Sequence, residues 1–92
     1  MDDAMRENVQ RRLASAAGHL KGIERMVGED AYCIDVIQQV QAVQAALNKV
    51  NTMILDNHLH TCVTTAIRGD DPDEREQVLK EVTNVFAVHG KR

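Results

Sequence analysis

Residues 31–68 read AYCIDVIQQVQAVQAALNKVNTMILDNHLHTCVTTAIR and contain neither glycine nor proline. Apolar residues recur along this stretch in alternating steps of four and three, in the row Val36, Val40, Val43, Leu47, Val50 and Ile54. This spacing is typical of one face of a long α-helix that packs along a partner helix. A helix of 38 residues is longer than a 92-residue protomer can cover by itself, so the pattern predicts an oligomer.

Cys33, His58 and Cys62 are the residues of this helix with metal-binding chemistry. His58 and Cys62 are four residues apart and should project from nearly the same face, one turn apart. Cys33 lies about 37 Å from His58 along a continuous helix, so it cannot join the pair within one chain. A second copy running antiparallel would bring its own Cys33 to this pair. The spacing therefore predicts a dimer with two equivalent soft-metal or thiol sites at its interface.

The composition near the implied symmetry centre agrees with such a dimer. Pairing Cys33 with His58 places the centre between Ala45 and Ala46, and pairing Cys33 with Cys62 places it between Leu47 and Asn48. Small side chains around this centre would allow two helices to approach closely. Alanine is common in any helix, so the agreement is modest support.

Two further helices are predicted, which makes the chain all-α. The first runs from about Met5 to Val27, with Gly28 as its C′ residue and Asp30 capping the central helix. The central helix ends near Arg68 and Gly69. Asp71, Pro72 and Glu74 are typical of the N-cap, N1 and N3 positions of a third helix, which should fray near Gly90. Residues 1–92 are predicted to form a single domain.

The formal net charge is −3, but the charge is unevenly distributed. The segment from Arg6 to Arg25 has five basic residues and two acidic ones. A basic face repeated in several subunits can bind DNA even when the chain is acidic, although an ordinary solvated helix face is the alternative. No signal-peptide h-region or membrane-length apolar run is present, which predicts a cytoplasmic protein. In that reducing compartment the two cysteines are expected to be ligands or reactive thiols.

Two thiolates and one imidazole form a soft donor set of low coordination number, which suits Cu(I). Zn(II) would require a fourth ligand, and His60 is near in sequence but should point away from the pair. The alternative for His58 and Cys62 is ordinary packing, because histidine and cysteine also occur in protein cores. The position of Cys33 at the start of the helix, together with the antiparallel geometry, favours the metal site.

Several segments resemble the copper-sensitive operon repressor (CsoR) family. They are Arg12-Leu13, Gly18-His19-Leu20-Lys21-Gly22-Ile23, Asp30-Ala31-Tyr32-Cys33, Gln39-Val40-Gln41-Ala42-Val43 and Asn57-His58-Leu59-His60-Thr61-Cys62. The resemblance extends from about Arg11 to Phe86. It implies a three-helix protomer that forms an antiparallel dimer and then a dimer-of-dimers tetramer. It also implies a Cu(I)-responsive repressor that binds operator DNA in the apo form.

By this resemblance, Cys33 of one protomer and His58 and Cys62 of the other would bind Cu(I) and weaken the affinity for DNA. Tyr32 and a glutamate of the third helix would form a second shell around the ligands. Glu81 is the best match to that glutamate, with Glu76 or Glu74 as alternatives. The residues implied to face DNA are Arg12 and Lys49, and the positions of their charges add Lys21 and Arg25. Thr52 occupies a place where some relatives have another basic residue.

Other interpretations remain open. Members of this family also sense persulfides through paired cysteines, formaldehyde through a cysteine near the N-terminus, or Ni(II) and Co(II) through histidine-rich sets. A persulfide sensor typically lacks a histidine at the position of His58. A copper-buffering protein without DNA binding would agree with the acidic charge. An enzyme is not expected, because no nucleophile, base and orienting group form a recognisable set, so a small-molecule substrate is not expected either.

Overall fold

The computed structural model describes residues 1–89, and the fraying predicted near Gly90 lies outside the described residues. The chain is all-α, as predicted. Its elements are the helix α1 (Asp3–Gly28), the helix α2 (Cys33–His58), a π-helical turn (Leu59–Val63), the short helix α3 (Thr64–Arg68) and the helix α4 (Pro72–His89). No helix among the described residues is both long enough and apolar enough to cross a membrane. By its contacts the chain divides into two compact units, residues 1–55 and the part from Asp56 onward.

The ends of α1 differ from the prediction. The helix begins two residues earlier than predicted, because the Asp2 carboxylate accepts a 2.8 Å hydrogen bond from the Met5 amide and caps it. Gly28 is the last residue of the helix and not its C′ residue. The left-handed conformation is adopted by Asp30, with φ 55°, and the Ala31 amide donates to the Met26 carbonyl over 2.9 Å. Aspartate tolerates this conformation better than most residues, so Asp30 forms the turn and the prediction that it caps α2 was wrong.

The core of the first unit consists of small aliphatic residues at steps of seven. Val9, Ala16 and Ile23 of α1 are buried, as are Val43 and Val50 of α2. His19 of α1 and Gln39 of α2 are joined by a 2.7 Å hydrogen bond between Nε2 and Oε1. With a connection of only four residues, this bond shows that the two helices run antiparallel, side by side.

The apolar row predicted on α2 divides into two faces. Val43 and Val50 are 3% and 4% exposed and belong to the core of the first unit, whereas Val40 and Leu47 are each 38% exposed. Exposed apolar residues also occur on α1, at Leu13 and Leu20. One face of α2 is therefore covered within the chain, and the neighbouring face is not.

The second unit contains the π turn, α3 and α4. The π turn and α3 both contact α4, and Val63 and Ala66 are their buried residues. The predicted start of the last helix is confirmed: Pro72 is its first residue, and Asp71 Oδ1 accepts hydrogen bonds from the Asp73 and Glu74 amides at 2.9 and 3.4 Å. The prediction of one uninterrupted α-helix from the start of α2 to Arg68 was wrong, because the π turn interrupts it.

We expect the substitution Val43→Ala to lower the free energy of unfolding by about 2 kcal/mol, because it removes two buried methyl groups and leaves a cavity. Val85→Ala is the matched control, since Val85 is exposed and its truncation should change stability by less than about 0.5 kcal/mol. Urea unfolding followed by circular dichroism, at one protein concentration, measures both values. Equal destabilisation by the two variants would contradict the assignment of Val43 to the core.

Candidate metal centre

His58 and Cys62 lie at the junction between α2 and the π turn. His58 is the last residue of α2 and is half-buried, whereas Cys62 lies within the π turn and is an exposed free thiol. A π turn is closed by i→i+5 hydrogen bonds and needs more residues than an α turn. Cys62 therefore lies slightly short of one full turn beyond His58, where an α-helix would place it slightly past one turn.

Side-chain donors surround the π turn. His60 Nδ1 lies 2.8 Å from the Asp56 carbonyl oxygen, and the Thr61 hydroxyl donates to the Asn57 carbonyl over 2.8 Å. The same Thr61 hydroxyl lies 3.6 Å from Cys62 Sγ. Since a hydroxyl has one proton, the shorter contact with the carbonyl is the stronger hydrogen bond. The Thr64 hydroxyl donates to the Leu59 carbonyl over 2.6 Å.

Cys33 is the first residue of α2 and is an exposed free thiol. It borders a shallow hollow whose other lining residues are Val27, Asp30, Ala31, Val36 and Ile37. Apart from Asp30, these neighbours are apolar. The thiol therefore lies at the edge of an apolar surface that is not covered within the first unit.

The structure does not bring the three predicted ligands together within one chain. Cys33 and His58 are the first and last residues of the same 26-residue α-helix. Among the described residues, no group of three or more histidine, cysteine, aspartate or glutamate side chains is placed to hold a metal ion. A site that uses both cysteines and His58 therefore requires a second chain.

The two predicted second-shell residues are both exposed. Tyr32 immediately precedes α2 and is 69% exposed. Glu81 lies on α4, where its carboxylate accepts a 3.1 Å hydrogen bond from Gln77 Nε2 one turn earlier. In the described part of the chain, neither residue forms a hydrogen bond with a predicted ligand.

The four predicted DNA-contacting residues are exposed and all belong to the first unit. Arg12 donates from Nε to Asn8 Oδ1 over 3.1 Å, and among the described residues none of the four takes part in an ion pair. Arg12 and Lys21 are nine residues apart on α1, which is about 2.5 turns, so they project from opposite sides. Lys21 and Arg25 are one turn apart on the same side.

The family model that matches this chain is described as "Metal-sensitive transcriptional repressor" and covers residues 5–88. The chain belongs to this family of metal-sensitive transcriptional repressors. Membership in a repressor family confirms the prediction that the chain is not an enzyme.

Curated relatives of this metal-sensitive repressor include copper sensors. The copper-sensing transcriptional repressor CsoR of Mycobacterium tuberculosis is 52% identical over 56 residues, which are 61% of this chain and 47% of the relative. That match spans about half the length of the mycobacterial protein. CsoR of Bacillus subtilis is 38% identical over 81 residues, 88% of this chain and 77% of the relative.

Solved structures of similar proteins confirm the fold. The Cu(I)-containing copper-sensing repressor CsoR of Geobacillus thermodenitrificans is 35% identical, with a TM-score of 0.88 over 99% of this chain and 92% of that one. The nickel-responsive regulator InrS is also 35% identical, with a TM-score of 0.74 over 87% of this chain and 90% of that one. Two relatives with equal identity thus respond to different metals, so the identity of the signal depends on the residues of the site.

One feature of this site that sequence reasoning missed is the π turn of the metal-sensitive repressor. The available signal was the run of β-branched and polar residues Thr61, Val63, Thr64 and Thr65. Threonine hydroxyls that bond to the preceding turn often bend helices. Hydrophobic periodicity does not report such a change, because the apolar residues Val63, Ala66 and Ile67 fit a helical pattern in either register.

Proposed function

We propose that this metal-sensitive repressor is a Cu(I)-responsive transcriptional repressor of copper-homeostasis genes. The apo form binds operator DNA as a dimer-of-dimers homotetramer. Cu(I) binds Cys33 of one protomer together with His58 and Cys62 of its antiparallel partner, and this binding releases the DNA. Residues 1–92 act as one sensing and DNA-binding domain in the cytoplasm.

The observation that carries the proposal is the uncovered face of α2. Starting from Cys33, steps of four and three reach Ile37, Val40, Gln44, Leu47, Asn51, Ile54 and His58. Of these residues, Ile37, Val40 and Leu47 are exposed large apolar side chains. The face therefore has an apolar centre with one predicted ligand at each end, and burial of that centre favours association.

This face is complementary to itself in the antiparallel direction. Residue numbers that sum to 91 pair Cys33 with His58, Ile37 with Ile54, Val40 with Asn51 and Gln44 with Leu47. Every position on the face thus has a partner on the same face of a second copy. A two-fold interface has this property, because each contact occurs twice. One packing arrangement would cover the apolar residues and bring Cys33 to His58 at both ends.

The donor set fits Cu(I). The two thiols are free and exposed, and thiolate and imidazole ligands together favour a soft cation. His60 would be the fourth ligand of a Zn(II) site, but its Nδ1 lies 2.8 Å from the Asp56 carbonyl and 3.4 Å from Asp56 Oδ1. Tyr32, next to Cys33, and Glu81 are proposed as the second shell that links ligand binding to helix movement.

The proposed DNA contacts form two surfaces in the first unit. Arg12 lies seven residues before His19 on α1, and Lys49 lies ten residues after Gln39 on α2. Because the helices are antiparallel, Arg12 and Lys49 lie beyond the same side of the His19–Gln39 bond, at levels within about 5 Å of each other. Lys21 and Arg25 form the second surface, on the outer side of α1. Cations that lack intrachain ion pairs suit contacts with phosphates.

An anaerobic Cu(I) titration of reduced protein tests the proposal, with operator occupancy followed by fluorescence anisotropy and Cu(I) binding measured against a competing chelator. We expect one tightly held Cu(I) per protomer and release of DNA at the same equivalence. A coupling of about 1–3 kcal/mol would lower DNA affinity by about 5–150-fold. Tight Cu(I) binding by a protein that never binds the DNA upstream of its gene would instead indicate a copper buffer.

The two exposed free thiols favour one alternative, a persulfide sensor of the same fold. Exposed thiols near one another across a dimer interface can be linked by a polysulfide. Mass spectrometry after treatment with a sulfide donor distinguishes the two functions. A polysulfide between Cys33 and the Cys62 of another chain, with release of DNA that Cu(I) does not cause, would replace the copper proposal.

A further inference from the structure

The threonine hydroxyls of the described helices show one exception to a common pattern. Those of Thr52, Thr61 and Thr83 each donate to the carbonyl four residues earlier, at 3.0, 2.8 and 2.9 Å. Thr64 donates to the carbonyl of Leu59, five residues earlier, and at 2.6 Å this is the shortest of the four bonds. The exception occurs immediately after the π turn.

A hydrogen bond to the carbonyl five residues earlier belongs to the π register. In an α-helix, threonine bonds back to the carbonyl three or four residues earlier. In an α register the Thr64 hydroxyl would therefore face the carbonyl of His60. The bonds of Thr61 and His60 reach four residues back, as in an ordinary α-helix. Among these side chains, Thr64 makes the contact that depends on the π turn.

The π turn determines how Cys62 is placed relative to His58. It inserts one extra residue into the helical path, and one residue corresponds to a rotation of about 100° in an α-helix. Without it, Cys62 and the following residues would turn by that amount relative to His58. Val63 and Ala66, which are buried in the second unit, would turn with them. Packing therefore favours the π turn, and the Thr64 hydroxyl is placed to hold it locally.

We infer that Thr64 is a positioning residue of the metal site: its hydroxyl holds the π turn and thereby the placement of Cys62 relative to His58. Thr64 is half-buried, and its hydroxyl does not need to touch the metal. The link to metal affinity rests on the proposed function, whereas the link to the π turn does not. π turns inside α-helices frequently occur at functional sites, which agrees with this role.

The substitution Thr64→Val tests the inference, because it removes the hydroxyl and keeps the β-branched shape. Thr64→Ser retains the hydroxyl and should restore wild-type behaviour. Thr52→Val is the matched control, since it removes an equivalent hydroxyl bond from a regular part of α2. Each variant is measured as the full chain, by amide hydrogen exchange in the apo state and by Cu(I) competition in the reduced state.

We expect Thr64→Val to accelerate amide exchange in residues 59–64 and to weaken Cu(I) binding about fivefold to tenfold, as expected for the loss of one hydrogen bond. Thr64→Ser and Thr52→Val should leave both quantities near the wild-type values. Unchanged exchange and affinity in Thr64→Val would overturn the inference, as would an equal loss in Thr64→Ser.

Failure of the proposed function would be seen separately. If the wild-type protein did not bind Cu(I), the copper proposal would fail, and the exchange measurement on the apo variants would still decide whether Thr64 holds the π turn. Faster exchange only in Thr64→Val would support that role, and equal exchange in all variants would contradict it.

Discussion

Replacing Cys33 with alanine is expected to weaken Cu(I) binding by more than about a hundredfold and to leave the repressor bound to its operator when Cu(I) is added. Loss of an outer-shell partner typically costs 10–100-fold in metal affinity, and loss of a ligand should cost more. DNA binding by the apo protein should be unchanged, because Cys33 is an exposed thiol whose removal leaves no buried cavity. Chelator competition and anisotropy measure the two effects.

A mixed dimer gives the decisive control for this prediction. Chains carrying Cys33→Ala retain His58 and Cys62, and chains carrying His58→Ala with Cys62→Ala retain Cys33. Neither chain alone should bind Cu(I) tightly. Co-expressed with two different tags and purified as a mixed dimer, they should regain one complete site per dimer. A site formed within one chain predicts no recovery, so absence of binding by the mixed dimer would contradict the cross-protomer arrangement.

The helices could be predicted from sequence because their signals are local. The start of α4 depends on a side chain and on backbone groups within four residues of Asp71, and the structure forms it as predicted. The turn before α2 was mispredicted for a related reason. Gly28 and Asp30 are both suitable residues for the left-handed position, and sequence rules favour glycine. The hydrogen bond from Ala31 to Met26 places that position at Asp30.

The two faces of α2 could not be separated from sequence alone. Val40 and Val43 are identical side chains three residues apart, and a periodic pattern treats them as one row. The structure buries Val43 in the core of the first unit and leaves Val40 on the face that begins at Cys33. The division follows from where α1 packs, which is tertiary information. The π turn had the same cause, because its register depends on the packing of Val63 and Ala66.

The ligand residues followed from chemistry and spacing, but their grouping did not follow from one chain. His58 and Cys62 lie near each other at the end of α2, as the four-residue spacing predicts for neighbours on a helix. Cys33 lies at the other end of the same helix. Whether it joins them depends on a second copy, so this part of the site stays a prediction that the mixed dimer tests.

Removing Arg12 and Lys49 together is expected to have the second large effect. The Arg12→Ala, Lys49→Ala variant should lose operator affinity by tenfold or more, and the slope of log affinity against log salt should become less steep by about two for each protomer that contacts DNA. Cu(I) binding should remain at the wild-type level, because neither residue lies near a predicted ligand in sequence. Anisotropy titrations at several salt concentrations measure affinity and slope together.

The comparison variants separate a specific contact from a general loss of positive charge. Arg75→Ala with Lys80→Ala removes the same two charges from α4 and should change operator affinity by much less. Lys21→Ala with Arg25→Ala removes the second proposed surface, on the other side of α1, and measures its share. Equal losses in all three variants would mean that net charge alone governs binding, since the screened field of the whole protein does not depend strongly on position. A loss confined to the Arg12 and Lys49 variant would place the operator along the side of α1 and α2 that is marked by the His19–Gln39 bond.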